Sequence, residues 1–207
     1  MNGEWSVLIC GVGGQGIVLF SRVLGTACAS SGVNVVTGEQ HGLSQRSGTV
    51  SIHFRTGPGI SSPLIPAGTA ECLAGLEALE ALRYIEYLKP GGSVFTSTLV
   101  MHPVTRTAER EKDPSVAFAT ADDVVSRLKT LAGEVTALDA RSIAVRSGNI
   151  QSENMVMLGA LSSAGGFPVT AEAVEASIAE LVPSAADVNI EAFRAGRAHS
   201  SRTPAGS

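Results

Sequence analysis

Cysteine is scarce, and its placement excludes more than its number does. The three are Cys10, Cys28 and Cys72. None forms a C-x-x-C pair, and an odd count argues against a disulfide framework. A reduced, cytoplasmic setting is the expectation. An iron–sulfur cluster usually takes four thiolates, so the chain is not expected to hold one by itself. Cys10 in the first strand and Cys28 in the first helix read as small buried hydrophobes. Aromatic residues are few, at 4%, so the core must be aliphatic. Lys and Arg number 15 against 19 acids and are scattered, which argues against a nucleic-acid footprint. No apolar run approaches the ~20 residues of a membrane helix. The first residues lack the basic and apolar regions of a secretory leader.

What remains is the composition of a folded, layered protein. Apolar residues make up 44% of 207, with a mean hydropathy of +0.22. Residues 1–198 read as one domain, and the small polar stretch 199–207 as a flexible tail. Glycine is over-used, at 23 residues, which fits tight turns and close backbone contacts.

Strands and helices alternate along the chain. Trp5–Cys10 reads as a strand and Gly16–Ser30 as a helix, with Ile17, Phe20, Val23, Leu24 and Ala27 on its apolar face. Gly32 ends that helix, and Val33–Val36 is a second strand. The βαβ order predicts a parallel pair with a right-handed crossover. A loop is expected over Gly38–Gly48. Thr49–Arg55 then alternates, with Val50, Ile52 and Phe54 opposite Ser51, His53 and Arg55, as a half-exposed strand would. Thr56–Gly68 is loop, and Glu71–Ala74 a short strand. Leu76, Leu79, Leu82, Ile85 and Leu88 mark a helix stopped by Pro90-Gly91-Gly92. Ser93–Ser97 and Val135–Leu138 are strands. Arg106–Pro114 is a polar excursion. Helices are expected over 121–131, 140–146, 152–164, 171–181 and 190–198. This order predicts an α/β fold: a three-layer α/β/α domain with a mostly parallel sheet, an opening βαβ unit and a helical C-terminal third.

Four segments carry chemistry. Gly11, Gly13 and Gly16 match G-x-G-x-x-G between the first strand and helix, with Gly14 and Gln15 between them. Missing Cβ atoms let a phosphate or another backbone approach, and a helix N-terminus offers free N–H groups to an anion. Glu39, 23 residues after Gly16, imitates the acid that holds a ribose in dinucleotide sites. The Gln15 amide is placed to bond outward to a ligand or neighbouring chain. The alternative is a turn built for close helix–sheet packing.

The second segment, Glu39 to Gly48, gathers Glu39, His41, Gln45 and Arg46 at the carboxyl end of the second strand. That is the ligand side of an open α/β sheet. His41 suits acid or base work, and Arg46 suits bidentate hold of a carboxylate or phosphate. No second His or Cys stands at ligand spacing, so no metal is expected. The third segment runs from Ser147 through the Gly148-Asn149 turn to Ala160. Asn149 and Asn154 are its polar candidates, Ser152 a helix cap, and Gly159, Ala160, Ser163 and Ala164 small enough for another helix to approach. The fourth, Asp187 to Gly196, reads as docking: Asn189 an N-cap, Ile190 and Phe193 anchors, Gly196 a kink or C-cap.

Together and in this order, GVGGQG, E-x-HG-x-x-QR-x-G, GN-x-x-SENM-x-x-LGAL and VN-x-EAFRAG resemble one family. LAGLEALEALRYIEYLKPGG resembles its central strand–helix–strand. The family is the gamma domain of 2-oxoacid:ferredoxin oxidoreductases, and within it the small (beta) subunits of indolepyruvate:ferredoxin oxidoreductases. The resemblance spans about residues 5–197. It implies a part in oxidative decarboxylation of a 2-oxoacid, such as an arylpyruvate, to an acyl-CoA, with electrons passing to ferredoxin. It implies that thiamine diphosphate and iron–sulfur clusters sit on a large partner subunit, that coenzyme A is co-substrate, and that the chain alone is inactive. The glycine loop and the HGLSQR segment would face the partner, coenzyme A or substrate; the resemblance assigns no proton-transfer residue. A homodimer is compatible with the isolated chain. One departure is Ser47 where the family commonly has glycine. The alternative function is a stand-alone, Rossmann-like nucleotide-binding module.

Overall fold

A computed structural model describes residues 3–42, 48–102 and 117–200. Six strands form one sheet: β1 Trp5–Val12, β2 Val35–His41, β3 Thr49–Thr56, β4 Ala70–Gly75, β5 Leu88–Ser97 and β6 Glu134–Leu138. Their order is β2-β3-β1-β4-β5-β6. Pairings β1–β4, β4–β5 and β5–β6 are parallel, and β3 is antiparallel to both β1 and β2. The sheet is mostly parallel, as expected. The opening unit is not a hydrogen-bonded pair, however. β1 and β2 run the same way, but β3 returns between them, since a short hairpin from β2 brings it back before the chain moves on to β4.

Helices cover both faces. One face carries α1 Ile17–Ser30, α4 Ala140–Arg146, α5 Glu153–Leu161, α6 Ala171–Leu181 and α7 Ala186–Ser200. Beneath them lie Val7 and Ile9 of β1, Ile52 and Phe54 of β3, and Phe95 of β5, all buried. The thinner face carries α2 Ala78–Arg83 and α3 Ala121–Lys129 over Leu8, Cys10, Leu73 and Val94. β1 is apolar almost throughout because both its faces are covered.

The small residues of the third and fourth segments meet at the α5–α7 crossing. A Cβ on Gly159 would lie 1.9 Å from the Phe193 carbonyl oxygen, and one on Gly196 2.0 Å from that of Val156. Gly196 is therefore interior to α7 and not its C-cap. Asn189 is also inside α7, not its N-cap. It is buried, and its Nδ2 donates to the Ala185 carbonyl at 2.8 Å.

Three other expectations change. The Leu76–Leu88 helix is only α2 and a 3-10 turn at Ile85–Tyr87, and β5 begins at Leu88. The leucine repeat continues past the point where the chain turns. β3 is not half-exposed: Ser51 and His53 are 0% and 2% exposed. The chain after β3 folds back over that face, and the Ile65 N–H donates to His53 Nδ1 at 3.0 Å. His199 and Ser200 belong to α7, while residues 201–207 and the excursion at 106–114 lie outside the described residues.

Candidate functional site

The chain beyond the carboxyl ends of β1, β5 and β6 lines one cleft of about 540 Å³. One wall is the glycine loop, Gly14 to Gly16. A second is the chain after β5, with Leu99 and Met101. A third is the turn from Asn149 into α5, and Arg141 of α4 stands beside it. The structure thus brings together the first and third segments, which are far apart in sequence.

The glycine loop is shaped by amides of the chain itself. Gln15 turns inward: its Oε1 accepts from the Val12 N–H at 2.7 Å, and its Nε2 donates to the Leu76 carbonyl at 2.9 Å. Within the chain the Gln15 amide thus bonds inward, where an outward bond was expected. It joins the end of β1 to the end of β4, and it fills the space Gly11 leaves. A Cβ on Gly11 would lie 2.6 Å from Gln15 Oε1. Gly16 has φ 72° and caps α1. Asn154, 2% exposed, donates from Nδ2 to the Gly16 carbonyl at 3.1 Å. A Cβ on Gly16 would come within 2.5 Å of that nitrogen. Gly13 and Gly14 are exposed, and the Gly13 N–H donates to the Gly48 carbonyl at 2.9 Å. Asn149 accepts the Gln151 N–H at 3.0 Å and so shapes the turn into α5.

The cleft is suited to an anion. α1 has no side-chain cap at its N-terminus and leaves N–H groups unclaimed by side chains, whereas at the start of α5 Asn149 takes the Gln151 N–H and Asn154 the Met155 N–H. Arg141 supplies a cation, 4.0 Å from Glu153. Burial raises the Glu153 carboxyl, and Arg141 opposes that shift. Ser152 is 1% exposed, and its hydroxyl is buried without a protein partner.

Glu39 and His41 are elsewhere. Both are exposed on edge strand β2, not in a loop. Glu39 pairs with Ile52, which pairs with Ile9. Two strand spacings, about 10 Å, separate it from β1, and it lies level with the middle of that strand. The ribose-binding position of a dinucleotide site is the carboxyl end of the strand next to β1, and β3 occupies that place. Gln45, Arg46 and Ser47 lie outside the described residues, although the flanking Gly42 and Gly48 leave the sheet at the cleft end. Among the described residues no group of three or more His, Cys, Asp or Glu is arranged to hold a metal ion. Arg141 and the Leu99–Met101 wall escaped the sequence reading. Their signal was position: the residues just after β5 and β6 fall at the carboxyl end of a parallel sheet.

Residues 6–199 match the pyruvate ferredoxin/flavodoxin oxidoreductase family. The chain belongs to this family. It is 39% identical over 196 residues to the indolepyruvate oxidoreductase subunit IorB of Pyrococcus horikoshii, covering 93% of this chain and 94% of the relative. It is 30% identical over 200 residues to the 2-oxoglutarate synthase subunit KorC of Methanothermobacter thermautotrophicus, covering 92% of each. The fold matches the gamma subunit of a keto/oxoacid ferredoxin oxidoreductase from Geobacter sulfurreducens, with TM-score 0.67, 21% identity, and coverage of 96% and 99%. It also matches 2-oxoglutarate:ferredoxin oxidoreductase from Magnetococcus marinus, solved with 2-oxoglutarate, coenzyme A and succinyl-CoA. There the TM-score is 0.70 at 18% identity, covering 100% of this chain and 32% of the other. The resemblance carried by the four segments is borne out along nearly the whole length. No helix among the described residues is long and apolar enough to cross a membrane.

Proposed function

We propose that the chain, as one domain over residues 1–198, is the small subunit of an indolepyruvate:ferredoxin oxidoreductase. The assembled enzyme decarboxylates an arylpyruvate oxidatively to its acyl-CoA and passes the electrons to ferredoxin. Thiamine diphosphate and the iron–sulfur clusters belong to a large partner subunit, and the small subunit alone is inactive. The observation that carries this reading is the end-to-end match to small subunits at up to 39% identity.

The cleft end of the sheet faces the partner, and its walls guide coenzyme A. The N-terminus of α1 without a side-chain cap, the Arg141 cation and the unpartnered Ser152 hydroxyl support an anionic group there. Asn154 and Gln15 serve by fixing the glycine loop, and Asn149 by shaping the opposite wall. Glu39 and His41 on β2 belong to the same interface, and Gln45 and Arg46 contribute to binding the partner or substrate.

The test is reconstitution. The chain and its matched large subunit, mixed anaerobically, are expected to reduce ferredoxin or methyl viologen with indolepyruvate and coenzyme A, while each alone does not. Turnover at background, with both subunits folded and the cofactors loaded, contradicts the proposal. Calorimetry with NADH and NADPH tests the nucleotide-binding module; micromolar binding lost in Gly13→Val would favour that module instead.

A further inference from the structure

The glycine loop and the Leu99–Met101 wall belong to different strands, yet one tripeptide holds both. Leu76, Glu77 and Ala78 follow directly on β4, the strand between β1 and β5. The Leu76 N–H donates to the Cys10 carbonyl at 2.8 Å, and the Leu76 carbonyl accepts from Gln15. The Ala78 N–H donates to the Leu99 carbonyl at 2.8 Å. Glu77 stands between these contacts and is 1% exposed. Its Oε2 accepts the Glu80 N–H at 2.7 Å, which caps α2, and its Oε1 accepts the Met101 N–H, also at 2.7 Å.

We propose that Glu77 is a positioning residue that sets the separation of the two cleft walls; the inference rests on the reading of the cleft given above. Helix capping alone does not explain the residue type. Ser, Thr, Asp and Asn are the preferred N-caps because their short side chains return to the first turn. Glutamate is one methylene longer than aspartate, and the added reach lets one carboxylate serve α2 with one oxygen and the chain after β5 with the other. A carboxylate also accepts both bonds without presenting a donor to either N–H. The result is a strut between the turn after β4 and the cleft wall, with Gln15 bracing the same turn from the glycine-loop side. Burial raises the carboxyl of Glu77, and the Met101 and Glu80 N–H groups work against that shift. Met101, whose N–H is held, remains 43% exposed at the cleft.

Glu77→Asp separates the two tasks. Aspartate keeps the cap on α2 but is too short to hold Met101. In the full chain, hydrogen exchange at residues 98–102 is expected to accelerate while α2 and the melting temperature stay near wild type. In the reconstituted complex, titrated with coenzyme A at saturating indolepyruvate, KM for coenzyme A should rise roughly three- to tenfold with kcat within about twofold. Glu77→Gln keeps the length but has one acceptor oxygen for two N–H groups. It should loosen either α2 or residues 98–102, and it replaces the aspartate variant if that one misfolds. Unchanged exchange at 98–102 in Glu77→Asp, or at both α2 and 98–102 in Glu77→Gln, overturns the strut. Faster exchange with unchanged KM, or a fall in kcat alone, overturns its role in the cleft. Background turnover of the wild-type complex would count against the functional reading, and the exchange measurement would still decide the strut.

Discussion

Two places in this fold need glycine, and they need it for opposite ends. At the α5–α7 crossing, Gly159 and Gly196 remove side chains so that two helix backbones touch. At the head of α1, Gly11 and Gly16 remove side chains so that two amides can enter. Those amides, from Gln15 and Asn154, bind the backbone of the loop. The first place is packing, with a cost for any change in volume. The second is a polar bracing whose removal leaves buried backbone groups unpaired. The same residue type therefore marks the rigid base of the domain and the walls of its cleft.

The largest effect is expected at the crossing. Gly159→Val places atoms where the Phe193 carbonyl stands and should cost ~3 kcal/mol or more, read by urea denaturation. A loss below about 1 kcal/mol would mean that the helices part easily. Gln15→Ala tests the other place. It strands the Val12 N–H and the Leu76 carbonyl and should cost ~1–3 kcal/mol. It should also speed exchange around residues 12–16, which Gly159→Val at equal destabilisation should not do selectively. Arg141→Ala sharpens the cleft side alone. Folding should be unchanged within ~0.5 kcal/mol, while KM for coenzyme A in the complex rises roughly tenfold, as loss of a charge-assisted contact predicts. Unchanged KM would remove Arg141 from the site.

The smallest effect is a pH dependence from the other face of the sheet. Burial lowers the pKa of His53, whose Nδ1 is held by the Ile65 N–H. The unfolded chain then takes up a proton near pH ~6.5 that the folded chain refuses. Stability from this group is present above that pH and is lost as pH falls below it toward the lowered folded value. Wild type should lose more stability between pH 7 and pH 5 than His53→Asn. Parallel pH curves would contradict the assignment.

Much of the fold was legible because covered strands and amphipathic helices leave strong patterns. β1, α1, β6, α4 and α6 fall close to where periodicity puts them. The failures have particular causes. β3 has the pattern of a half-exposed strand because nothing local shows that residues 57–68 return over Ser51 and His53. The insertion of β3 between β1 and β2 is a non-local choice that the βαβ pattern does not register. The inward bonds of Gln15 leave no local signal because its two partners, Val12 N–H and Leu76 carbonyl, meet only once β1 and β4 pair. Asn149 and Asn154 were legible as candidates, and both line the cleft, since a buried or turn-forming amide beside small residues has few packing reasons to be there. Arg141, Leu99 and Met101 were not, because position at the end of a strand, and not residue type, brings them to the cleft.

The central claim is that the cleft end of the sheet is the face turned to the partner. Hydrogen exchange of this chain, alone and bound to the large subunit, tests it most directly. Protection on assembly is predicted at residues 12–16, 98–102 and 149–154, with residues 57–68 at the far side of β3 unchanged. Protection confined to residues 57–68 or to the outer faces of α6 and α7, with the cleft walls exchanging as in the free chain, would contradict it.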